Sequence, residues 1–228
     1  MKFPTLRLNT YCNNLDFYEG IISVWGDFGV GKTTFALQTA FNNIDNRKQV
    51  LFFYTKPNFP IEKTIPLFKS STQLINKITF IKPINFMDLY RIIFNLEFLI
   101  LEQLKNKENQ FKLIIIDSIT DLYRLELNRE KKERNYNLNY YLNQILANLY
   151  YINKAYKIEI LIINEISRKT INDHVIEIQA GGKVMEYWTF YTLHINRTEK
   201  LNQRKFVMKQ GEKLLFEFIM NLTNNGFE

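Results

Sequence analysis

Residues 26–33 read Gly26-Asp27-Phe28-Gly29-Val30-Gly31-Lys32-Thr33, a short pattern that predicts both a ligand and the structure around it. It has the form Gly-x-x-x-x-Gly-Lys-Thr, whose glycines let successive backbone N–H groups turn inward around a polyphosphate. The lysine of such a loop reaches the outer phosphates, and the threonine hydroxyl can hold Mg²⁺. We therefore predict that this loop, together with Thr34, binds a nucleoside triphosphate. A glycine-rich turn without a ligand is the less favoured alternative.

The flanks of the loop predict a strand before it and a helix after it. Residues 21–25 are apolar and rich in β-formers, and residues 34–40 are suited to a helix start. Strand and helix patterns then alternate, as a parallel sheet flanked by helices requires. Further strands are predicted at 49–54, 78–81, 112–117 and 158–164, helices at 86–104 and 136–157, a loop-like segment at 167–183, and short strands from residue 189 onward.

Composition limits the class of protein. The 228 residues are 46% hydrophobic, which suits one α/β domain over residues 1–228 with residues 1–19 as a short N-terminal segment. Cys12 is the single cysteine and there are two histidines, so an internal disulfide is excluded and a zinc site is disfavoured. No secretory or membrane-spanning segment is evident, and we expect a cytoplasmic protein. The net charge of +7 is compatible with nucleic acid, although a biased coding composition could also explain it.

A second half of the nucleotide site is predicted at Asp117. This residue ends the apolar run 112–117, where a carboxylate directed at Mg²⁺ is expected in phosphate-loop proteins. An aspartate at the end of a buried strand is weak evidence alone, but it gains weight from the phosphate loop earlier in the chain. Thr33 and Asp117 are therefore the predicted metal ligands, and Lys32 and Asp117 are predicted catalytic residues.

Three segments together resemble the ATPase core of the RecA/RadA recombinases, and among these the short archaeal paralogues called RadB. They are the loop from Gly26 to Thr34, the segment Asp117-Ser118-Ile119-Thr120, and Gly181-Gly182-Lys183-Val184-Met185-Glu186-Tyr187-Trp188. The resemblance extends from about Gly20 to Glu228. It implies a RecA-like α/β fold with a twisted, mainly parallel sheet flanked by helices and antiparallel strands at the C-terminal end. It also implies binding of ATP with Mg²⁺ and a role in DNA recombination and repair.

Two absences favour an accessory paralogue over a filament-forming recombinase. Full-length recombinases carry an N-terminal helical DNA-binding domain, whereas only about twenty residues precede the core here. They also carry a Phe-x-x-Ala polymerisation motif, which does not occur before Gly20. We therefore expect no long filament and leave the oligomeric state open. The expected partners are DNA, bound weakly and without sequence preference, and either the main recombinase or a junction-processing nuclease.

The chain departs from the family pattern at two positions that should face the γ-phosphate. Lys56 stands where the family usually has the glutamate that positions the attacking water, and a charged lysine cannot act as a general base. Glu165 stands where the family has a glutamine that senses the γ-phosphate. We predict slow hydrolysis or none, and hypothesise that Lys56 and Glu165 form an ion pair in the absence of ATP. Drift in a site no longer selected for turnover is the alternative.

The DNA-facing side is predicted from the segment before Gly181, which holds Arg168, Lys169, Asp173, His174 and Glu177 and is only modestly basic. Further positive charge comes from Lys183, Arg197, Arg204, Lys205, Lys209 and Lys213. RadB proteins often have a compact basic cluster near the last hairpin, whereas this chain has Lys209-Gln210-Gly211-Glu212-Lys213, so weak DNA binding is expected. A generally basic surface with no dedicated site is the alternative.

Other functional classes stay open at this point. One is an active DNA-dependent ATPase in which another residue supplies the base, Glu62 being a less favoured substitute because it lies beyond two prolines. Another is a structural interaction protein that has lost nucleotide binding, against which the intact Lys32, Thr33 and Asp117 argue. A regulatory ATPase of the KaiC type is also conceivable.

Overall fold

The structure, a computed structural model, describes residues 1–60, 72–105, 110–127, 130–171 and 174–228. The helices in these residues are α1 Leu6–Tyr11, α2 Lys32–Asn42, α3 Phe86–Phe94, α4 Leu96–Lys105, α5 Asp121–Glu126, α6 Lys132–Tyr156 and α7 Gly182–Trp188, with a 3₁₀ turn over Thr72–Lys77. The strands are β1 Ile21–Gly26, β2 Lys48–Tyr54, β3 Ile78–Ile81, β4 Gln110–Asp117, β5 Glu159–Ile171, β6 His174–Gln179, β7 Thr189–Arg197, β8 Gln203–Gln210, β9 Lys213–Thr223 and β10 Gly226–Phe227. Strands and helices alternate through most of the chain, as the sequence predicts.

The strands form a sheet in the order β10-β9-β8-β7-β1-β5-β4-β2-β3, with β6 paired to β5 beside this path. Strands β7, β1, β5, β4, β2 and β3 run parallel to one another, whereas β8, β9 and β10 pair antiparallel at the C-terminal end. This arrangement confirms the predicted RecA-like α/β fold class, including the antiparallel strands at the end of the chain.

Two apolar layers cover the faces of the sheet. On one face, α1 and α2 contribute residues such as Leu8 and Phe35 to a core that also contains Phe3 and Phe227. On the other face, α3, α4 and α6 pack over the sheet through their own buried residues. Because both faces are covered, the run from Leu113 to Ile116 in β4 is buried throughout rather than alternating.

The structure corrects the prediction of one continuous helix over residues 86–104. The helix ends at Phe94 and a new one begins at Leu96. Between them, the Asn95 side chain donates a hydrogen bond to the Arg91 carbonyl oxygen at 2.8 Å. Asparagine side chains compete in this way with the backbone for hydrogen bonds and so favour helix ends. The apolar spacing of the segment gave no sign of this interruption.

The loop-like segment predicted over residues 167–183 is also partly wrong. Strand β5 continues to Ile171 and pairs antiparallel with β6, so that Ser167 lies opposite Ile178. The hairpin is followed by a turn at Ala180 and Gly181 and then by α7. The segment is polar and short of apolar alternation, which is why the sequence pattern did not indicate strands.

Parallel strands bring their carboxyl ends to one edge of the sheet. Tyr54 at the end of β2 lies opposite Asp117 at the end of β4, and Asp117 lies opposite Ile163 in β5. On the other side of β5, Gly26 at the end of β1 lies opposite Glu165. This register places Tyr54 of β2, Asp117 of β4 and Glu165 of β5 beside the phosphate loop that follows β1. Within the described residues, none of the helices is long and apolar enough to cross a bilayer.

Candidate nucleotide-binding site

The phosphate loop connects β1 to α2 at this edge of the sheet. Its last glycine, Gly31, has a φ of +103° and precedes the first residue of α2, Lys32. A left-handed conformation of this kind is open to glycine without steric cost. The first N–H groups of α2 have no partners within the helix, so its N-terminus favours an anion. The structure therefore brings the predicted residues Gly26 to Thr34 together at a helix N-terminus.

Two arginines from β7 and β8 donate hydrogen bonds to backbone carbonyl oxygens of the phosphate loop. Arg197 Nη2 donates to the Phe28 carbonyl oxygen at 2.8 Å, and Arg204 Nε donates to the Val30 carbonyl oxygen at 3.2 Å. The Arg204 side chain is buried and donates further to the carbonyl oxygens of Leu201 and Gln203. Because its donors are used inside the protein, Arg204 is not part of an exposed basic surface, which corrects that part of the sequence interpretation.

The last strand, β10, packs a phenylalanine ring against the phosphate loop. Phe227 in β10 is buried among Phe35 and Phe206, with ring centroids 6.2 and 5.2 Å apart. A Cβ atom placed on Gly31 would lie 2.7 Å from the Phe227 ring, which is closer than a real contact allows. Gly31 is therefore required both for its backbone conformation and for the close approach of this ring. Sequence reasoning missed Phe227, since nothing local marks a residue so far along the chain as part of the loop.

Lys32, the lysine of the loop, is buried and makes three contacts with oxygen atoms. Its Nζ donates to the carbonyl oxygens of Gly26 at 2.9 Å and Asp27 at 2.8 Å, and to Glu165 Oε2 at 2.9 Å. Glu165 comes from β5, and only 14% of its side chain is exposed. The ammonium that is expected to reach a phosphate is thus paired with a carboxylate of the protein.

Lys56, two residues beyond β2, points into the same pocket. Its Nζ lies 3.1 Å from Asp117 Oδ1, 3.6 Å from Glu165 Oε1 and 3.4 Å from Thr33 Oγ1. The ion pair between Lys56 and Glu165 hypothesised from the sequence is therefore present. Its closer partner is Asp117, which sequence reasoning assigned to a metal ion instead.

The charges of the pocket act strongly on one another. Burial on its own lowers the pKa of Lys56, but the neighbouring Asp117, Glu165 and Asp121 outweigh it and raise the pKa above its ordinary value. Lys56 is therefore charged at neutral pH. Burial raises the pKa of the Asp121 carboxyl, while Lys56 acts in the opposite direction. Asp121, at the start of α5, is a further acidic member of the pocket that the sequence analysis did not single out.

The pocket as arranged does not accommodate Mg²⁺ between its two expected ligands. Mg²⁺ requires ligand oxygens at about 2.0–2.1 Å. The Lys56 ammonium already lies within 3.4 Å of Thr33 Oγ1 and within 3.1 Å of Asp117 Oδ1. A cation bound by both oxygens would stand against this ammonium, and the repulsion would be large in so buried a place.

A network of buried side-chain hydrogen bonds lies next to the pocket. Asn164, fully buried in β5, accepts a hydrogen bond from Thr120 Oγ1 at 2.5 Å and donates to the Ala180 carbonyl oxygen at 2.7 Å. Its Oδ1 also accepts from the Glu165 backbone N–H at 2.8 Å. Gln179 extends the network by accepting from Ser23 Oγ at 2.8 Å. The network ties the turn after β4 to Glu165 and to the turn before α7.

The hairpin of β5 and β6 carries the residues that the sequence analysis placed toward DNA. Arg168 is exposed and lies 3.3 Å from Glu177 Oε1 and 3.9 Å from Asp27 Oδ2 of the phosphate loop. Lys183 is in the first turn of α7. Asp173 lies outside the described residues, as does Glu62, the less favoured substitute base. The exposed arginine is thus linked to an acidic residue beside the nucleotide site.

Comparison with known proteins gives a consistent answer. The profile of the Rad51 family matches residues 17–226 of this chain. "DNA repair and recombination protein RadB" of Methanococcus maripaludis is 32% identical over 209 residues, which is 88% of this chain and 89% of that protein. The protein of the same name from Methanocaldococcus jannaschii is 31% identical over 191 residues, or 81% and 80% of the two chains. That of Pyrococcus furiosus is 26% identical over 216 residues, or 91% and 86%.

Proposed function

This chain belongs to the Rad51 family and, within it, to the archaeal RadB proteins of DNA repair and recombination. From this premise we propose that it is an ATP-binding accessory protein that hydrolyses ATP slowly or not at all. Members of the family bind ATP together with Mg²⁺. The observation that carries the proposal is the pairing of Lys56 with Asp117 and Glu165 beside an otherwise complete phosphate loop.

Nucleotide binding is supported by the shape and charge of the loop. The N-terminus of α2, its glycine-rich approach and the Lys32 ammonium offer donors and positive charge to a polyphosphate. Binding requires the phosphate to take Lys32 from Glu165. The nucleotide therefore rearranges an existing ion pair on entry, and this rearrangement is the means by which ATP acts as a conformational signal.

Slow hydrolysis follows from the identity of residue 56. General-base assistance typically contributes about 10²–10⁴ to a rate, and a charged lysine cannot provide it. The direct test is equilibrium binding of ATP and ADP by calorimetry, with single-turnover hydrolysis followed in the same samples with and without single-stranded DNA. We expect binding without appreciable turnover, and Lys32→Ala as the negative control should lose binding. Turnover stimulated by DNA would contradict the proposal.

One observation favours a second candidate, an active ATPase with a substitute base. Asp121 shares the pocket, and burial raises the pKa of its carboxyl, which is a property of general bases. Asp121→Asn distinguishes the two functions. A DNA-stimulated rate that falls with this substitution would support the ATPase, whereas an absent rate in the unmodified protein supports the accessory function.

We propose weak, sequence-independent DNA binding through the β5–β6 hairpin and the start of α7. Arg168, Lys169 and Lys183 provide the positive charge, and the acidic Glu177 beside Arg168 limits it. Contacts of this kind act through phosphate neutralisation, so the logarithm of the affinity should fall linearly with the logarithm of the salt concentration. Fluorescence anisotropy with unrelated oligonucleotides measures this dependence. An affinity unaffected by salt would contradict the electrostatic mechanism.

The proposed protein partner is the main recombinase or a junction-processing nuclease. If ATP is the signal, the affinity for that partner should differ between the ATP-bound and nucleotide-free protein. Surface plasmon resonance with the recombinase immobilised measures both states, and Lys32→Ala should behave like the nucleotide-free protein under either condition. Equal affinity in both states would remove the signalling part of the proposal.

A further inference from the structure

The Lys56 ammonium stands among the oxygens that were expected to hold a metal ion. Asp117 Oδ1, Thr33 Oγ1 and Glu165 Oε1 lie 3.1, 3.4 and 3.6 Å from its Nζ. These three residues come from β4, α2 and β5, so their convergence on one point is a product of the fold. The point they define is occupied by a cation that belongs to the chain itself.

The 3.1 Å separation between Lys56 Nζ and Asp117 Oδ1 is a normal ammonium–carboxylate distance, and Thr33 Oγ1 and Glu165 Oε1 lie slightly farther from the ammonium, at 3.4 and 3.6 Å. A lysine ammonium has three N–H donors and contacts oxygens at about 2.7–3.2 Å, whereas Mg²⁺ binds them at about 2.0–2.1 Å. Asp117 is fully buried, and neither of its side-chain oxygens has a partner with hydrogen-bond geometry among the described residues. The 3.1 Å ion pair with Lys56 is therefore what compensates this carboxylate in the structure.

The ion-paired groups are already balanced among themselves without a metal. Lys32 and Lys56 provide two positive charges, and Asp117 and Glu165 provide two negative charges, all within the chain of ion pairs that joins them. Asp121 adds a further carboxyl beside them, and burial raises its pKa. A divalent cation added here would meet two ammonium groups within a few ångströms. An incoming polyphosphate, in contrast, would find two lysines and a helix N-terminus.

We propose that the Lys56 ammonium takes the place of the divalent cation, so that this protein binds a nucleoside polyphosphate without Mg²⁺. The Lys56 ammonium keeps its ion pair with Asp117 and exchanges its ion pair with Glu165 for a terminal phosphate oxygen, while Lys32 binds the same phosphate group. This inference rests on the proposed nucleotide binding and specifies how the charge of the nucleotide is neutralised.

The first test uses the unmodified protein. Binding of ADP and ATP is measured by calorimetry in excess EDTA and again in excess Mg²⁺, and we expect the two dissociation constants to agree within about threefold, or less than about 1 kcal/mol. Binding only in Mg²⁺ would overturn the inference and leave the proposed function standing. Absence of binding in both buffers would instead overturn the proposed function.

A second readout follows the metal rather than the nucleotide. With Mn²⁺ in place of Mg²⁺, electron paramagnetic resonance distinguishes Mn²⁺ bound to the protein–nucleotide complex from Mn²⁺ in solution. We expect no protein-bound Mn²⁺ at saturating nucleotide. One Mn²⁺ bound per nucleotide complex would overturn the inference, and this measurement requires no variant.

The third test removes the ammonium with Lys56→Met. This variant should lose at least about tenfold in affinity in EDTA and recover it in Mg²⁺, since Thr33 and Asp117 are then free to bind the metal. Lys48→Met is the matched control, because Lys48 begins β2, the strand that Lys56 follows, and among the described residues its ammonium forms an ion pair with the surface residue Asp45 alone, at 3.1 Å. An unchanged affinity of Lys56→Met in EDTA would refute the inference. If circular dichroism shows that this variant does not fold, the Mn²⁺ measurement on the unmodified protein decides.

Discussion

Lys32 Nζ lies 2.9 Å from Glu165 Oε2, so the lysine of the phosphate loop is bound to a carboxylate in the middle of the neighbouring strand β5. Any anionic ligand of the loop must compete with this carboxylate. For the proposed nucleotide binding, this pair should therefore lower the affinity and, together with Lys56, should change its contacts when nucleotide is present.

The substitution Glu165→Gln should strengthen nucleotide binding. It removes a negative charge that faces the phosphates but keeps an oxygen that can accept a hydrogen bond from Lys32. We expect the dissociation constant for ADP to fall by about tenfold, equivalent to about 1.4 kcal/mol, in calorimetry. Glu217→Gln is the matched control, since Glu217 forms an exposed ion pair with Lys205 at 2.9 Å and its substitution should leave the affinity unchanged. Weaker binding by Glu165→Gln would show that the carboxylate assists the nucleotide.

Hydrolysis should be gained by restoring both family residues together. The double variant Lys56→Glu/Glu165→Gln provides a carboxylate at position 56 to position water. It also removes the carboxylate at position 165, which would repel the new one. Single-turnover rates with Mg²⁺ should rise by about 10²-fold over the unmodified protein, the lower end of what general-base catalysis contributes. Lys56→Glu alone should raise the hydrolysis rate little, because the introduced carboxylate lies beside the carboxylates of Asp117 and Glu165 and is repelled by them. An equal rate in the single and double variants would contradict this reasoning.

Phe227 should be important for both stability and the phosphate loop. The ring is 2% exposed, and Phe227→Ala should lower the free energy of unfolding by about 3–5 kcal/mol, as for other buried phenylalanines. Chemical denaturation measures the loss, and nucleotide affinity should fall as well because the ring contacts Gly31. Phe98→Ala is the control, since that side chain is 71% exposed on α4. Equal stability of the two variants would contradict the packing described for Phe227.

Stability should decline in mild acid because of His194. This ring stacks on Trp25 with centroids 3.6 Å apart, and its Nε2 has no hydrogen-bond partner among the described residues. Burial, followed by the charge of Lys209, lowers the pKa of His194 from its ordinary 6.5 to about 4. Between these pH values the unfolded chain binds a proton at this position that the folded protein does not. The free energy of unfolding therefore falls as the pH drops through this window.

The variant His194→Phe keeps an aromatic ring against Trp25 and cannot titrate. Denaturant unfolding at pH 7 and pH 5 should show a smaller loss for His194→Phe than for the unmodified protein. The difference between the two losses isolates the contribution of His194 from that of the carboxylates. Identical losses would show that the histidine is protonated in the folded state.

Much of this protein could be predicted from short patterns. The phosphate loop and the apolar run that ends in Asp117 are local signals, because a strand–loop–helix unit and a buried strand depend mainly on neighbouring residues. The secondary-structure predictions failed where a side chain hydrogen-bonds to the backbone and where polar and apolar residues do not clearly alternate. The break at Asn95 and the β5–β6 hairpin are examples, and neither changes the strand order.

The sequence alone determined the fold class, the family and the positions of the two unusual residues, Lys56 and Glu165. The sequence also led to the hypothesis that these two residues pair with each other, and only the tertiary structure decided their other contacts. Lys56 contacts Asp117 and Thr33, and Glu165 contacts Lys32. Arg204 donates a hydrogen bond to the phosphate loop and is not exposed at the surface. The physical reason is the order β1-β5-β4-β2, which places the carboxyl ends of strands distant in sequence a few ångströms apart. Charged side chains brought this close together form ion pairs, and the local sequence around each residue does not show which partner it meets.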